Sequence, residues 1–338
     1  MARIVMPQNL SLTEAINFCN RLWETPPDTR YEFDFYRMGM VEPFTMAYVA
    51  NELKRFRQSK EAAHFTALNY RNHTYPSHMG FFQAFGLNHG NAPGQASGSS
   101  TYIPLTLLNV ADIEQEAIER ALNPGDVLEE KASQIAQLLI RQSEGNLVDT
   151  LTFSIREIMR NVVEHSGSEF IEYCGQYWPS RSMVEVAILD VGHGVRYGLR
   201  NNPDLNIACD RDALHLALLP GISGKMYRGV RRRSNDAWQN SGFGLYMTSR
   251  ICRAGGSFFI ASNGAGILLD AEGKHDRTTS YQGTALRLRF DTQTLTNYDE
   301  MLARFRREGY AAARQFSGDQ AIEPSMASTM LARDFQDP

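Results

Sequence analysis

Three segments in the second half of the sequence carry residues that could bind a charged ligand. The first segment, residues 156–166, places Glu157 and Asn161 four positions apart. On a helix, these two side chains project from the same face, one turn from each other. A carboxylate beside a carboxamide oxygen suits a hard cation and an ordered water. A solvated helix face would show the same pair, so this segment alone leaves both interpretations open.

The second segment is an apolar strand pattern that ends in Asp190 and continues with Gly192 and Gly194. Glycines at alternate positions let the backbone turn sharply and approach a ligand, because no Cβ stands in the way. Asp190, at the end of the strand, would then point its carboxylate into a pocket. An Asp-Gly turn of an ordinary hairpin is the alternative interpretation.

The third segment has Gly242 and Gly244 directly before a helical pattern that begins at Leu245. Bare backbone N–H groups and the positive end of the helix dipole favour an anion at such a place. A tight turn at an ordinary helix N-terminus would need the same glycines. Each segment is weak evidence alone, whereas their order along the chain is informative.

In this order, the three segments resemble the N, G1 and G2 boxes of the GHKL superfamily, which includes gyrase, the heat-shock chaperone ATPase, histidine kinases and MutL. Gly283 and Thr284 resemble the Gly-Thr that often precedes the closing strand of the family. The resemblance covers about half of the chain and implies ATP and Mg²⁺ as cofactors.

The resemblance also implies a role for each residue. Asn161 would bind the Mg²⁺ that bridges the phosphates, and Asp190 would accept a hydrogen bond from the adenine amino group. Thr284 would lie near the adenine. The other predicted binding residues, which would shape the pocket or lie along the phosphates, are Gly192, Gly194, Gly242, Gly244 and Leu245.

Glu157 indicates the subtype. Sensor histidine kinases usually have a non-acidic residue four positions before the asparagine, whereas the hydrolytic members and the anti-sigma-type serine kinases have Glu. In those relatives the Glu acts as a general base, which typically contributes about 10²–10⁴ in rate. Glu157 is therefore the predicted catalytic residue.

The function that follows from the resemblance is that of a regulatory ATPase. Its nucleotide state would control contacts between its domains, with a protein partner, or with a second copy of the chain. Two alternatives share the fold: an anti-sigma-like Ser/Thr protein kinase in a partner switch, and a non-catalytic module that senses ATP. Similarity of fold does not decide between these functions.

The apolar pattern predicts an α/β chain in which two units position these residues. Residues 1–110 alternate strand and helix patterns, and residues 31–38 with the following helix resemble the central strand–loop–helix of STAS domains. Thr45 is the hydroxyl nearest to the position of the family's phosphorylated serine. Residues 111–125 are predicted to be a connecting helix and linker that ends at a Pro-Gly break.

Residues 126–292 are predicted to form the histidine-kinase-like ATPase domain, a Bergerat-type α/β sandwich with a mixed sheet and helices on one face. Residues 195–240 would be a polar lid over the phosphates, and residues 293–338 a C-terminal helix and tail. The lid contains a basic cluster that would face either the phosphates or an acidic partner, and a solvated run of loop charges is the alternative interpretation. The members of the cluster are Lys225, Arg228, Arg231, Arg232 and Arg233.

Composition limits the other classes of function. The net charge of −4 gives no general reason to expect nucleic acid as a partner. No run of 18 apolar residues occurs, so no membrane span is expected. The four cysteines lie far apart and form no CxxC pair, which argues against a zinc site or a disulfide scaffold. The expected location is a reducing, cytoplasmic compartment.

Overall fold

The computed structural model describes residues 1–224, 242–293 and 298–317. Within them the fold is α/β, as predicted, with two sheets. Three parallel strands form the smaller sheet in the order β1 (Ala2–Val5), β2 (Arg30–Asp34), β3 (His64–Leu68). The larger sheet has the order β4-β5-β6-β10-β7-β8-β9. Its strands are β4 (Tyr102–Asn109), β5 (Phe170–Trp178), β6 (Met183–Asp190), β7 (Gly256–Ser262), β8 (Ala265–Leu269), β9 (Lys274–Thr278) and β10 (Thr284–Asp291).

Helices connect the strands and cover the sheets. Helix α1 begins directly after Ser11, whose side chain accepts a hydrogen bond from the backbone N–H of Glu14. A π-helical turn at Val162–Ser166 follows α7 directly. The helices are α1 (Leu12–Trp23), α2 (Pro43–Gln58), α3 (Thr74–Met79), α4 (Phe81–Ala84), α5 (Val110–Glu119), α6 (Pro124–Ile140), α7 (Asn146–Asn161), α8 (Val195–Leu199), α9 (Asp210–Ala217), α10 (Gly244–Gly255) and α11 (Tyr298–Ser317).

The prediction of a mixed sheet was wrong, because every neighbouring pair in the larger sheet is antiparallel. Tight turns impose this direction on some pairs. Asn263 and Gly264 both have positive φ between β7 and β8, which is the turn that two-residue hairpins favour. Strands β6 and β7 do run the same way, but β10 lies between them and is antiparallel to both.

Strand β4 lies within residues 1–110, the predicted first unit, but it pairs with β5 at the edge of the larger sheet. Its side chains explain this place. Ile103 packs in the core beneath α6 and α7, while Leu105 packs in the core that contains α2. A strand with buried apolar residues on both faces belongs between two layers.

Both faces of the larger sheet are buried. Helices α6, α7 and α10 cover one face, and the side chains of Val186 and Ile188 project from that face into the core beneath these helices. The helices of the predicted ATPase region therefore cover one face, as predicted. Helix α2 of the N-terminal region covers the opposite face, from which Ala187, Leu189 and Phe259 project. Eleven of the sixteen residues of α2 are buried, as expected for a helix packed between two sheets.

The predicted lid is not a polar loop throughout, since α8 and α9 lie within residues 195–217. The basic cluster between Lys225 and Arg233 lies outside the described residues. Helix α11 packs against α10, where the hydroxyl of Tyr246 donates to the backbone oxygen of Phe305. No helix in the described part of the chain is long and apolar enough to cross a membrane.

Candidate functional site

A cavity of about 820 Å³ lies between α7, α8, α10 and the ends of β6 and β10. The floor is apolar, with Ile158, Val162, Ile260 and Leu286. Eight of the nine predicted site residues line it: Glu157, Asn161, Asp190, Gly194, Gly242, Gly244, Leu245 and Thr284. The structure therefore brings together four segments that are far apart in sequence.

Asp190 lies at the end of β6, and its side chain is almost fully buried. Burial raises the pKa of this carboxyl to about 6, because the charged form loses its hydration. Hydrogen bonds from Gly192 and Thr284 act against that rise, and the Gly192 N–H lies 2.8 Å from Asp190 Oδ1. An ionised carboxylate has about four acceptor sites, so Asp190 can accept a further hydrogen bond from a ligand beside those from Gly192 and Thr284.

Gly192 is the one predicted residue that does not line the cavity. It fixes the loop after β6 instead. A Cβ at this position would collide with the backbone oxygen of Ser166, which also accepts a hydrogen bond of 2.7 Å from the His193 N–H. The loop that follows Asp190 is thereby held against the π-helical turn that follows Asn161.

Asn263, in the turn between β7 and β8, forms hydrogen bonds with the loop after β6 and with the residue before β10. It was not among the residues predicted from sequence. Its Nδ2 donates to the backbone oxygen of His193 at 2.8 Å, and its Oδ1 accepts from the Gly283 N–H at 2.9 Å. The neighbouring Ser262 Oγ accepts from the Val195 N–H at 2.9 Å. An Asn in a β-turn is common, so the sequence held no signal for this second role.

Gly244 is the first residue of α10 and lies directly against Glu157. A Cβ at Gly244 would collide with Glu157 Oε2, so only glycine permits this approach. The backbone oxygen of Gly242 accepts a hydrogen bond from the Gly221 N–H at 3.2 Å. The start of α10 thus borders the cavity, with the positive end of its dipole towards it.

The carboxylate of Glu157 is not free to act as a base in this arrangement. It is 2% exposed, and its two oxygens lie 2.8 Å from Arg156 Nη2 and 3.3 Å from Arg160 Nη2. Arg156 also binds Glu129 at 2.9 Å, and Arg160 lies 3.4 Å from Glu164. Sequence reasoning named Glu157 but not the two arginines that hold it.

Asn161 ends α7 and lines the cavity, one turn after Glu157, as the spacing predicts. Among the described residues, no cluster of three His, Cys, Asp or Glu side chains could hold a metal ion by itself. A cation bound here would therefore need ligand oxygens in addition to the Asn161 carboxamide. Mg²⁺ held by a nucleotide is such a cation, since it keeps phosphate and water ligands beside one or two protein groups.

Thr45, the hydroxyl nearest to the expected phosphorylation position, is fully buried in α2. Its Oγ1 donates to the backbone oxygen of Glu42 at 3.0 Å. A kinase could not reach this hydroxyl without unfolding of the helix. The geometry therefore gives no support to a phosphorylation switch at this position.

No protein-family model, curated protein or solved structure matches the chain.

Proposed function

We propose that this chain binds ATP with Mg²⁺ in the cavity between α7, α10 and β6, and that nucleotide binding regulates its contacts. The observation that carries the proposal is the convergence of Asn161, Asp190, Gly244 and Thr284 on one cavity. These residues were selected from sequence by the role that each would have toward a nucleotide. They come from four segments that are far apart in sequence, and they line the same cavity.

In the proposed complex, a different group of lining residues contacts each part of ATP. The adenine would bind over the apolar floor, with its amino group donating to Asp190 and with Thr284 beside it. The phosphates would bind at the start of α10, where backbone N–H groups and the helix dipole favour anions. Mg²⁺ would bind to Asn161 and to phosphate oxygens, and it would supply charge neutralisation there.

The first test is a calorimetric titration of the full chain with ATP in the presence of Mg²⁺. A hydrogen bond to a charged group contributes roughly 1.5–3 kcal/mol, so Asp190→Asn should weaken ATP binding about 10- to 150-fold. Glu169→Gln, an exposed change outside the cavity, should leave the affinity unaltered. Equal affinity of wild type and Asp190→Asn would refute the proposed orientation of the adenine.

A second candidate function, the ATP-sensing module without turnover, is favoured by the ion pairs of Glu157. Both of its oxygens are held by Arg156 and Arg160. Hydrolysis by general-base catalysis would require the Glu157 carboxylate to leave these partners and contact water.

Release of phosphate from ATP separates the two functions. If the chain is an ATPase, Glu157→Gln should lower turnover by about 10²–10⁴ while nucleotide binding persists. If it is a sensor, wild type and variant should both bind ATP without releasing phosphate. A melting curve with bound nucleotide checks that the variant is folded, because loss of a partner for two buried arginines is costly.

A further inference from the structure

The loop between β9 and β10, residues 279–283, lies between the candidate ATP site and the N-terminal layer, which comprises the three-stranded sheet with α1 and α2. On one side, the loop leads directly into Thr284, which lines the ATP cavity and pairs with Asp190 in the sheet. On the other side, it contacts α2 through Ser280. One short segment therefore borders both parts of the molecule.

Tyr281 of this loop holds the end of β6. Its side chain is 1% exposed, and its hydroxyl donates to the backbone oxygen of Asp190 at 3.1 Å. Its ring stacks on that of Tyr48 in α2, with the ring centroids 5.1 Å apart. A Cβ at Gly283 would collide with the same Asp190 oxygen, so the loop also fits closely against this strand end. The position of the Asp190 backbone thus depends on two residues of the loop.

Glu52 on α2 is a buried acid that holds the same loop. It is 1% exposed and accepts hydrogen bonds from Trp23 Nε1 at 2.8 Å and from Arg55 Nη2 at 2.9 Å. The Ser280 hydroxyl donates to it as well, and Arg55 donates in addition to the backbone oxygen of Ser280. A buried carboxylate is costly unless it is paired and hydrogen-bonded, and the loop supplies one of these hydrogen bonds. Helix α2 and the loop are therefore held together by buried charge.

The Asp190 carboxylate can meet an adenine amino group only if the strand end that carries it stays in place. Groups that bind a ligand must be held to within about 0.5 Å, which hydrogen bonds from neighbouring residues achieve. The Gly192 N–H donates to Asp190 Oδ1 at 2.8 Å, so a shift of this backbone would move both the carboxylate and its donor. The bond from the Tyr281 hydroxyl opposes such a shift.

We propose that Tyr281 and Glu52 are positioning residues for the adenine end of the ATP site, so that the N-terminal layer sets the preference of this site for adenine. Glu52 holds Ser280, and Tyr281 of the same loop holds the Asp190 backbone. The inference rests on the proposed function, because it requires the adenine amino group at Asp190. Such coupling is reciprocal, so bound ATP stabilises the contact of α2 with the loop as much as that contact favours ATP.

The test compares ATP with inosine triphosphate, which has the same sugar and phosphates but lacks the amino group of adenine. Calorimetric titration of the full chain with each nucleotide and Mg²⁺ gives the ratio of the two affinities. Tyr281→Phe removes one hydroxyl and keeps the ring on Tyr48, and it should lower the preference for ATP about 2- to 10-fold. A general loss of stability would not alter this ratio, because both nucleotides bind the same folded fraction.

Two further variants test the link to α2. Glu52→Gln should lower the preference for ATP in the same direction, since a neutral amide gives up the ion pair with Arg55 and loosens the loop. Ser280→Ala removes only the hydroxyl that contacts Glu52 and keeps that ion pair, so it serves as the milder variant. Tyr75→Phe is the matched control. The Tyr75 hydroxyl donates to Gln176 Oε1 at 2.6 Å and lies outside the ATP cavity, so this variant should keep the wild-type ratio.

Amide hydrogen exchange without nucleotide measures the same link in the free protein. The amides of residues 190–194 should exchange faster in Tyr281→Phe than in the wild type or in Tyr75→Phe, because the strand end loses a contact that opposes local opening.

The outcomes separate this inference from the proposed function. Absence of ATP binding by the wild type, or equal binding of the two nucleotides, would refute the proposed adenine contact and this inference with it. A wild type that prefers ATP, together with an unaltered preference in Tyr281→Phe, would refute this inference alone. An unaltered preference in both Glu52→Gln and Ser280→Ala, with melting curves showing folded proteins, would do the same, as would unaltered exchange of residues 190–194 in Tyr281→Phe.

Discussion

At the scale of single residues, the buried carboxyl of Asp190 makes nucleotide binding depend on pH. Its pKa of about 6 means that the group is ionised at pH 7.5 and mostly protonated at pH 5.5. Only the ionised form is the strong acceptor that the adenine amino group requires. The candidate site should therefore weaken as pH falls through 6.

The expected size of this effect follows from the titration curve. Between pH 7.5 and pH 5.5, the ratio of the ATP affinity of wild type to that of Asp190→Asn should fall about fourfold. The ratio cancels the titration of the ATP phosphates and of other groups, because these are common to both proteins. A ratio that is constant across this range would mean that Asp190 does not contact the nucleotide.

The same carboxyl should lower the stability of the protein without ligand. Because burial raises its pKa from 3.8 to about 6, stability is lost as pH rises through this window and stays lost above it. The loss amounts to at most about 3 kcal/mol at pH 8. Asp190→Asn, which cannot ionise, should raise the unfolding free energy at pH 8 and raise it less at pH 5.

Urea denaturation at the two pH values measures this difference. A gain at pH 8 together with weaker ATP binding would show a residue kept for function at the expense of stability. An unaltered or lowered unfolding free energy at pH 8 would mean that the Asp190 carboxylate already has adequate partners in the fold.

At the scale of elements, the loop after β6 depends on close backbone contact at Gly192. A Cβ there would collide with the backbone oxygen of Ser166, which cannot move aside like a flexible side chain. Gly192→Ala should therefore lower the unfolding free energy by about 1–3 kcal/mol or more. It should also weaken ATP binding, since this loop follows Asp190.

Gly198 is the matched control for that substitution. It lies in α8, and a Cβ there would be 3.5 Å from the nearest atom, His165 Cβ, which is an ordinary contact. Because Ala favours helix over Gly by roughly 1 kcal/mol, Gly198→Ala should be neutral or stabilising in the same denaturation experiment. Equal effects of the two substitutions would argue against the close approach at Gly192.

Sequence reasoning succeeded for elements with strong local signals. The Glu157–Asn161 spacing, the Pro-Gly break and the helical pattern from Leu245 indicate α7, α6 and α10 without knowledge of the rest of the chain. Strand β9 was missed, because Lys274–Thr278 is almost entirely polar and lies at the edge of the sheet. A polar edge strand has no apolar alternation to detect, since one side of it faces solvent.

The candidate site could be predicted only in part for a related reason. The spacing of Glu157 and Asn161 is a local property of one helix, so their shared face was predictable. The role of Asn263 depends on strands and loops brought together by the whole fold. Such contacts have no counterpart in sequence periodicity.

At the scale of the whole molecule, a buried ion network joins the N-terminal layer to the larger sheet. Glu185 on β6 is fully buried and accepts from the Phe44 N–H at 3.1 Å and from Arg287 Nε at 2.8 Å. Arg287 also binds Glu42, the residue before α2, at 3.0 Å. The start of α2 is thereby attached to two strands of the larger sheet.

This network and the shared core predict that the chain unfolds as one unit, although its sequence suggests two domains. Calorimetry of the full chain should show a single transition. Glu185→Ala should lower the unfolding free energy by about 3–5 kcal/mol, because Arg287 and the Phe44 N–H lose a buried partner. Glu130→Ala, which removes a surface ion pair with Arg120, should cost less than about 1 kcal/mol.

The transition of Glu185→Ala should stay single, since the apolar contact of α2 with Ala187, Leu189 and Phe259 persists. Two separate transitions in the wild type would contradict the continuous core, because each layer would then be stable alone. A single transition means that a ligand on either face of the larger sheet stabilises the whole chain.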